Sequence, residues 1–468
     1  MLVALILLYL AASIAVGLYA ATRVRGAADY AVAGSRFGTP IIAATVFATW
    51  FGAETVLGIP ATFWKEGLRG LVADPFAAFA CLVLVGLVFA RPLFRLDALT
   101  LGDYFRARYD RPSEVVLTLC IAFSYLGWIA AQFVALGLAF NVLSHGAIDT
   151  RTGIVIGSMA VLVYTMAGGM WSVALTDLLQ AVVIVAGMGY VAWMVGDLAG
   201  GPGRVLEMAA ADGRMRFLPE ADMRSVLAWI TAALVIVLGS VPQQDVFQRI
   251  KASRDAGTAV RATIAGGVLY FFVASIPIFL VAAAALIDPP MVARLIEADY
   301  QLILPTLILE RTPLAVQVLF FGALISAILS TAGGALLAPA VTLAQNVILP
   351  VMRPRDDRGR LWTMRLTVLG LAAAVLAMAL TSKMSIYQLV NESGKVVLVS
   401  SFVPLAAGLF WKRASARGAH LSVAAGLVTW LLHEAFAPDG LVPPAFAGLV
   451  ASLAGMVAGS FLSPRSPR

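Results

Sequence analysis

The chain has 468 residues, of which 61% are hydrophobic and 13% charged, with a mean hydropathy of +0.91. A soluble globular chain is about half apolar and about a quarter charged, so a soluble enzyme and a disordered chain are both excluded; continuous rather than alternating apolar runs argue against a β-barrel. What remains is an all-α polytopic membrane protein, in which a net charge of +7 reads as basic cytoplasmic loops rather than a nucleic-acid surface.

Residues 2–20 form the first apolar run. No basic residue precedes it, and Arg23 and Arg25 follow it, so it reads as a retained helix with the N-terminus outside rather than a cleaved signal. Further runs lie at 40–64, 70–92, 113–144, 152–167, 173–196, 226–248, 262–287, 314–348, 366–382, 385–410, 418–434 and 442–463. Each is near the ~20 residues that a crossing takes, so the expectation is about thirteen transmembrane helices. With the N-terminus outside, 22 Lys and Arg residues, Arg249, Arg465 and Arg468 among them, fall in cytoplasmic gaps, against 10 outside. That bias supports the count and puts the C-terminus in the cytoplasm of a multi-pass cell-membrane protein. The longest gap, about 197–225, is too short for a soluble domain, and the chain has no P-loop, so ATP is not its energy source. Cys81 and Cys120 sit inside apolar runs, and with three scattered His residues they make neither a disulfide nor a metal spacing.

The informative places are those where a span breaks the apolar rule. Span 2 carries Gly52, Glu54, Gly58 and Pro60, which predicts a discontinuous helix; such a break survives only against protein or a polar cavity. Gly168-Gly169 precede Thr176, Asp177 and Gln180 at the start of span 6. Span 7 is interrupted at Gly239-Ser240-Val241-Pro242 and continues through Gln243, Gln244 and Asp245 to Arg249. Span 9 places Ser330 and Thr331 side by side in mid-membrane. Adjacent hydroxyls suit a hard cation that wants oxygen, and equally bond a carbonyl one turn back. In span 11, Glu392 and Lys395 are three apart and share a helix face, as a structural or gating pair.

Spans 2 and 7, both interrupted, are five apart. Matching interrupted helices in two halves point to an inverted-repeat transporter. The first repeat is then 40–196 and the second 226–410, with 2–20 and 418–463 as peripheral helices of one transmembrane domain.

The stretch Gly168 to Gln180, the segment Pro242 to Arg249 and the loop Ala27 to Ser35 resemble the sodium/solute symporter family, and the resemblance covers nearly the whole chain. It implies a leucine-transporter-type five-helix inverted-repeat core and sodium as the coupling ion. Matched residue by residue, sodium is held by the carbonyls of Ala48, Phe51 and Ala327 and by the hydroxyls of Ser330 and Thr331. Asp177 matches a carboxylate on the ion pathway.

Within the family, Ala48 to Gly52, Trp128, the Phe89 to Pro92 stretch and Glu297 to Pro305 are most similar to the high-affinity choline transporters. That similarity implies Trp50 and Trp128 as cation–π partners of a quaternary ammonium and Asp74 as a carboxylate for a cationic amine. Gln243 and Ala78 depart from it, standing where those transporters carry aromatic residues; Gln243 would equally bond an amide or carboxylate. The expected activity is sodium-coupled import of a small organic solute, a quaternary or primary amine such as choline. The alternatives are an amino acid, a carboxylate or another polar solute, and a proton-coupled or uncoupled carrier. No catalytic constellation appears and no partner protein is implied beyond the solute and the lipid bilayer.

Overall fold

The structure, a computed structural model, describes residues 1–463; Arg465 and Arg468 lie outside them. Among the described residues the regular structure is helical, apart from one isolated bridge between Phe37 and Ser253. Many helices open on the residue their sequence advertises. Asp110 accepts from Ser113 N at the start of Arg111–Leu143, and Asp255 from Thr258 N at the start of Ala256–Ile287. Ser385 and Gln388 form a reciprocal capping box before Ile386–Val397.

Nine helical segments among the described residues are long and apolar enough to cross a membrane. Two of them contain a reversal. Thr150–Leu198 has 49 residues, which as one straight helix would run roughly 74 Å, more than twice a bilayer core. Gly169 (φ 51°, ψ −134°) breaks it, and Tyr164 and Thr176, on either side of the break, both pack against Gly17 of Leu2–Ala21. The segment is therefore spans 5 and 6. Glu54–Phe94 likewise turns at Gly67 (φ 67°) from the end of span 2 into span 3. Two further passes are too short or too polar for the same criterion: the interrupted span 7 (Met223–Val237, then Gln244–Ala252) and span 12 (Ala416–Phe436), while Thr39–Trp50 supplies the first half of span 2, whose second half opens Glu54–Phe94. Together these make the thirteen expected passes among the described residues.

The connections alternate between two faces. On one, Ser35 meets Lys251, Lys251 reaches Leu96, Arg108 meets Gly408 and Arg111 meets Asn346. This is the face to which the Arg-rich gaps belong. On the other, Leu68 bonds Arg214, Arg69 pairs with Glu220, Ile386 bonds Gln301 and Arg224 pairs with Asp439. No connection in either set crosses to the other face, as a missed span would have required.

Span 9 (Leu314–Leu343) is the centre of the molecule. Every residue from Phe320 to Thr342 is buried. A helix buried all round belongs to the core of the bundle, and the small residues Ala332 to Ala335 let its neighbours approach closely. Spans 12 and 13 (Ala416–Phe436 and Pro444–Phe461) pack on each other at the edge and leave Leu431, Leu432, Val450, Leu453 and Val457 exposed, as a lipid-facing surface requires.

Candidate transport site

The break in span 2 is made at Phe51 (φ −88°, ψ 80°), where the first half-helix ends. In an unbroken helix the Ala53 N–H would bond the Thr49 carbonyl. Here it donates instead to Gln132 Oε1 on span 4, at 2.9 Å. The freed carbonyls face span 9: Thr331 Oγ1 donates to the Thr49 carbonyl at 2.9 Å and lies 3.4 Å from that of Ala48. Ala327 sits one turn before Thr331 in the same buried helix. The Phe51 side chain is buried against Phe47 and Tyr270. Backbone and hydroxyl oxygens thus converge where an apolar core would otherwise be continuous, which is the donor set a hard monovalent cation takes.

Beside this cluster, Ser330 Oγ donates to Asp177 Oδ1 at 2.6 Å. The other oxygen, Oδ2, accepts from Thr45 and, at 3.5 Å, from Thr49. Arg249 Nη2 lies 4.0 Å from Oδ2. The same guanidinium donates to the carbonyls of Thr45 (3.3 Å) and Asp245 (3.0 Å) and to the Thr49 hydroxyl. The sequence reading places Arg249 among the loop charges; it is instead buried, 1% exposed. It fits because Gly334 has no side chain: a Cβ there would lie 2.6 Å from Nη2.

A second feature is a cavity of about 60 Å³, lined by Trp50, Asp74, Trp128 and Gln243 together. All four substrate candidates, from spans 2, 3, 4 and 7, therefore meet. Residues that sequence reasoning did not assign complete the lining, chiefly Glu54, Tyr270, Tyr387 and Asn391. Glu54 accepts from Trp128 Nε1 (Oε1, 3.0 Å) and from Gln132 Nε2 (Oε2, 2.8 Å). Tyr270 donates to Asp74 Oδ1 and lies 3.3 Å from the Thr55 hydroxyl. Its ring stands edge-on to Trp50, with centroids 6.4 Å apart. Gln132 joins the two sites: its carbonyl oxygen holds the broken backbone and its amide holds Glu54.

Glu392 and Lys395 do pair, at 2.7 Å, but Glu392 is half-exposed and neither residue lines the cavity.

A model of the sodium:solute symporter family matches residues 30–426. The human high affinity choline transporter 1 is 28% identical over 449 residues, which cover 91% of this chain and 75% of that protein. The sodium/sialic acid symporter SiaT of Proteus mirabilis is 24% identical over 97% of this chain and 93% of its own. The substrate-bound outward-open structure of a Na+-coupled sialic acid symporter superposes with a TM-score of 0.85 at 21% identity, covering 98% of this chain and 96% of that one. The shared fold is the leucine-transporter-type inverted repeat that the paired breaks in spans 2 and 7 imply. The family match begins before the first broken helix and ends beyond the second, so it takes in both the oxygen cluster and the cavity: the chain belongs to the sodium:solute symporter family.

Proposed function

We propose that this symporter imports a small organic cation, of the size and charge of choline, together with sodium. The observation that carries the reading is the charge of the cavity: two carboxylates, Glu54 and Asp74, and four aromatic side chains line it, with no Lys, Arg or His among them. Such a lining attracts a cation through charge and ring faces, by about 2 kcal/mol for a desolvated cation–π contact, and repels a carboxylate. The relatedness to a choline transporter agrees with this chemistry.

Sodium binds at the carbonyls of Ala48, Phe51 and Ala327 and the hydroxyls of Ser330 and Thr331, with Asp177 on its path to the basic face. Sodium bridging spans 2 and 9 favours the state that receives solute. A ligand shifts this equilibrium only by its differential affinity for the two states, and coupling means that sodium and solute each raise the other's affinity. The N-terminus faces outward and the basic face and C-terminus are cytoplasmic, so an inside-negative potential drives each entering charge by ~2.3 kcal/mol per 100 mV. The moving halves are the repeats 40–196 and 226–410, with 2–20 and 418–463 peripheral.

One observation favours a second reading. The Gln243 amide faces the cavity, and among the described residues its side chain has no hydrogen-bond partner, so an amide or carboxylate solute would find one there. Thermal stability of the purified protein in sodium and in potassium separates the two, with choline, betaine, proline, a sugar, a monocarboxylate, pantothenate and urea as probes. A ligand of the folded state raises the unfolding midpoint by mass action. Stabilisation by choline in sodium alone is the expected result; stabilisation by the carboxylate or pantothenate instead would transfer the role to Gln243.

A further inference from the structure

We propose that Glu54 and Asp74 select an ammonium group that still carries N–H bonds, as in an amino alcohol or other primary amine, over a fully methylated one. This rests on the cationic-solute reading above and narrows it.

Both carboxylates are built as hydrogen-bond acceptors. Each oxygen of Glu54 takes one donor, from Trp128 or Gln132, and each keeps a further lone pair. Asp74 Oδ1 takes the Tyr270 hydroxyl, while Oδ2 has no hydrogen-bond partner among the described residues. Neither acid forms an ion pair among the described residues. Two acceptor groups inside the bundle thus lack both a counter-charge and their last donors. A quaternary ammonium supplies charge and no donor. A protonated amine supplies charge and up to three N–H bonds.

The rings give a methylated headgroup less than a full enclosure. The Trp128 indole is oriented by its bond to Glu54, and Tyr125 packs beside it, with ring centroids 5.8 Å apart and an interplanar angle of 32°. Trp50 and Tyr270 meet edge to face, and Ala78, Ser240 and Gly394, which carry no rings, make up part of the lining. Gln243 and Asn391, which also line the cavity, suit a hydroxyl or similar polar group of the solute.

The test is a methylation ladder. Ethanolamine, N-methylethanolamine, N,N-dimethylethanolamine and choline differ only in how many N–H bonds are replaced. Their dissociation constants are measured on the full-length protein in sodium by thermal shift and by uptake into proteoliposomes. Affinity is expected to fall along the ladder, with ethanolamine bound about tenfold or more tighter than choline, since hydrogen bonds to a charged group are the strong ones. Asp74→Asn and, as a second independent variant, Glu54→Gln are each expected to compress that ratio to about threefold or less, as the acceptor loses its charge. Choline binding as tightly as ethanolamine, or more tightly, overturns the selectivity and leaves the cationic reading standing. A ladder ratio unchanged in both folded variants removes it from these two carboxylates. No shift with any of the four amines overturns both readings together.

Discussion

Ser330 donates its hydroxyl proton to Asp177, and the adjacent Thr331 donates its own to the Thr49 carbonyl. With both protons committed to acceptors on spans 6 and 2, the two hydroxyls present lone pairs rather than hydrogens to whatever lies between spans 2 and 9. A cation needs that orientation. At the proposed sodium site the carboxylate of Asp177 would act by fixing the direction of Ser330 as well as by its charge.

If sodium binds as proposed, removal of either hydroxyl deletes one oxygen ligand. An interaction with a charged group is worth about 1.5–3 kcal/mol, so Ser330→Ala and Thr331→Ala should each raise the sodium concentration for half-maximal stabilisation by roughly tenfold or more. Thr331→Ser, which keeps the oxygen, should stay close to the parent protein. Sodium titrations of the unfolding midpoint check this; unchanged half-saturation in both alanine variants would place the ion elsewhere.

Asp177 and Arg249 are both buried, and each is held by several hydroxyls or carbonyls. Loss of one partner from a buried pair leaves an uncompensated charge and costs about 3–5 kcal/mol, whereas loss of both costs less than the sum. Arg249→Met should therefore destabilise the protein strongly, and Asp177→Asn in the same chain should recover part of the loss. A double-mutant cycle on thermal unfolding reads the coupling; strictly additive effects would mean that the 4.0 Å separation carries no interaction.

Much of this arrangement was legible before the fold was known, because a membrane span has few reasons to contain Gly, Pro, hydroxyls or carboxylates. Asp74 comes only from the family resemblance, whereas Gly52 and Pro60, and Ser330 and Thr331, all announced themselves in that way. Tyr270 did not. It lies in Ala256–Ile287, an apolar run where a tyrosine reads as packing, and only the closing of span 8 against spans 2 and 3 brings its hydroxyl to Asp74. Gln132 was equally silent, since its role depends on a backbone N–H exposed by a break on another helix. Arg249 misled because it stands at a predicted span end, where charges are normally solvated; the space it occupies is the missing side chain of Gly334, far away in sequence.

Gly169 turns span 5 into span 6 with φ 51° and ψ −134°, a region open in practice only to glycine. A Cβ at this position would also come within 2.7 Å of the Tyr30 ring. Gly169→Ala should cost about 2 kcal/mol or more and lower the unfolding midpoint, with sodium affinity retained in the fraction that folds. Gly189→Ala is the control, since a Cβ there meets nothing within 4 Å. Equal midpoints for the two variants would show that the turn tolerates a side chain.

Trp128→Phe isolates the polar edge of one ring from its bulk. Phenylalanine keeps an aromatic face at the cavity and removes the Nε1–H that Glu54 accepts at 3.0 Å. The Gln132 amide still holds the other carboxylate oxygen, so Glu54 stays in place but is oriented from one side only. A phenyl ring is also a weaker cation–π partner than an indole. Together these losses should weaken binding of a cationic solute by roughly tenfold, the equivalent of about 1.4 kcal/mol. Sodium binding measured without solute should be unchanged, because no hydrogen bond links Trp128 to the Ala48, Thr49 and Thr331 oxygens. Solute affinity unaltered alongside a lowered melting temperature would instead make Trp128 a packing residue, and the carboxylate of Glu54 would then owe its orientation to Gln132 alone.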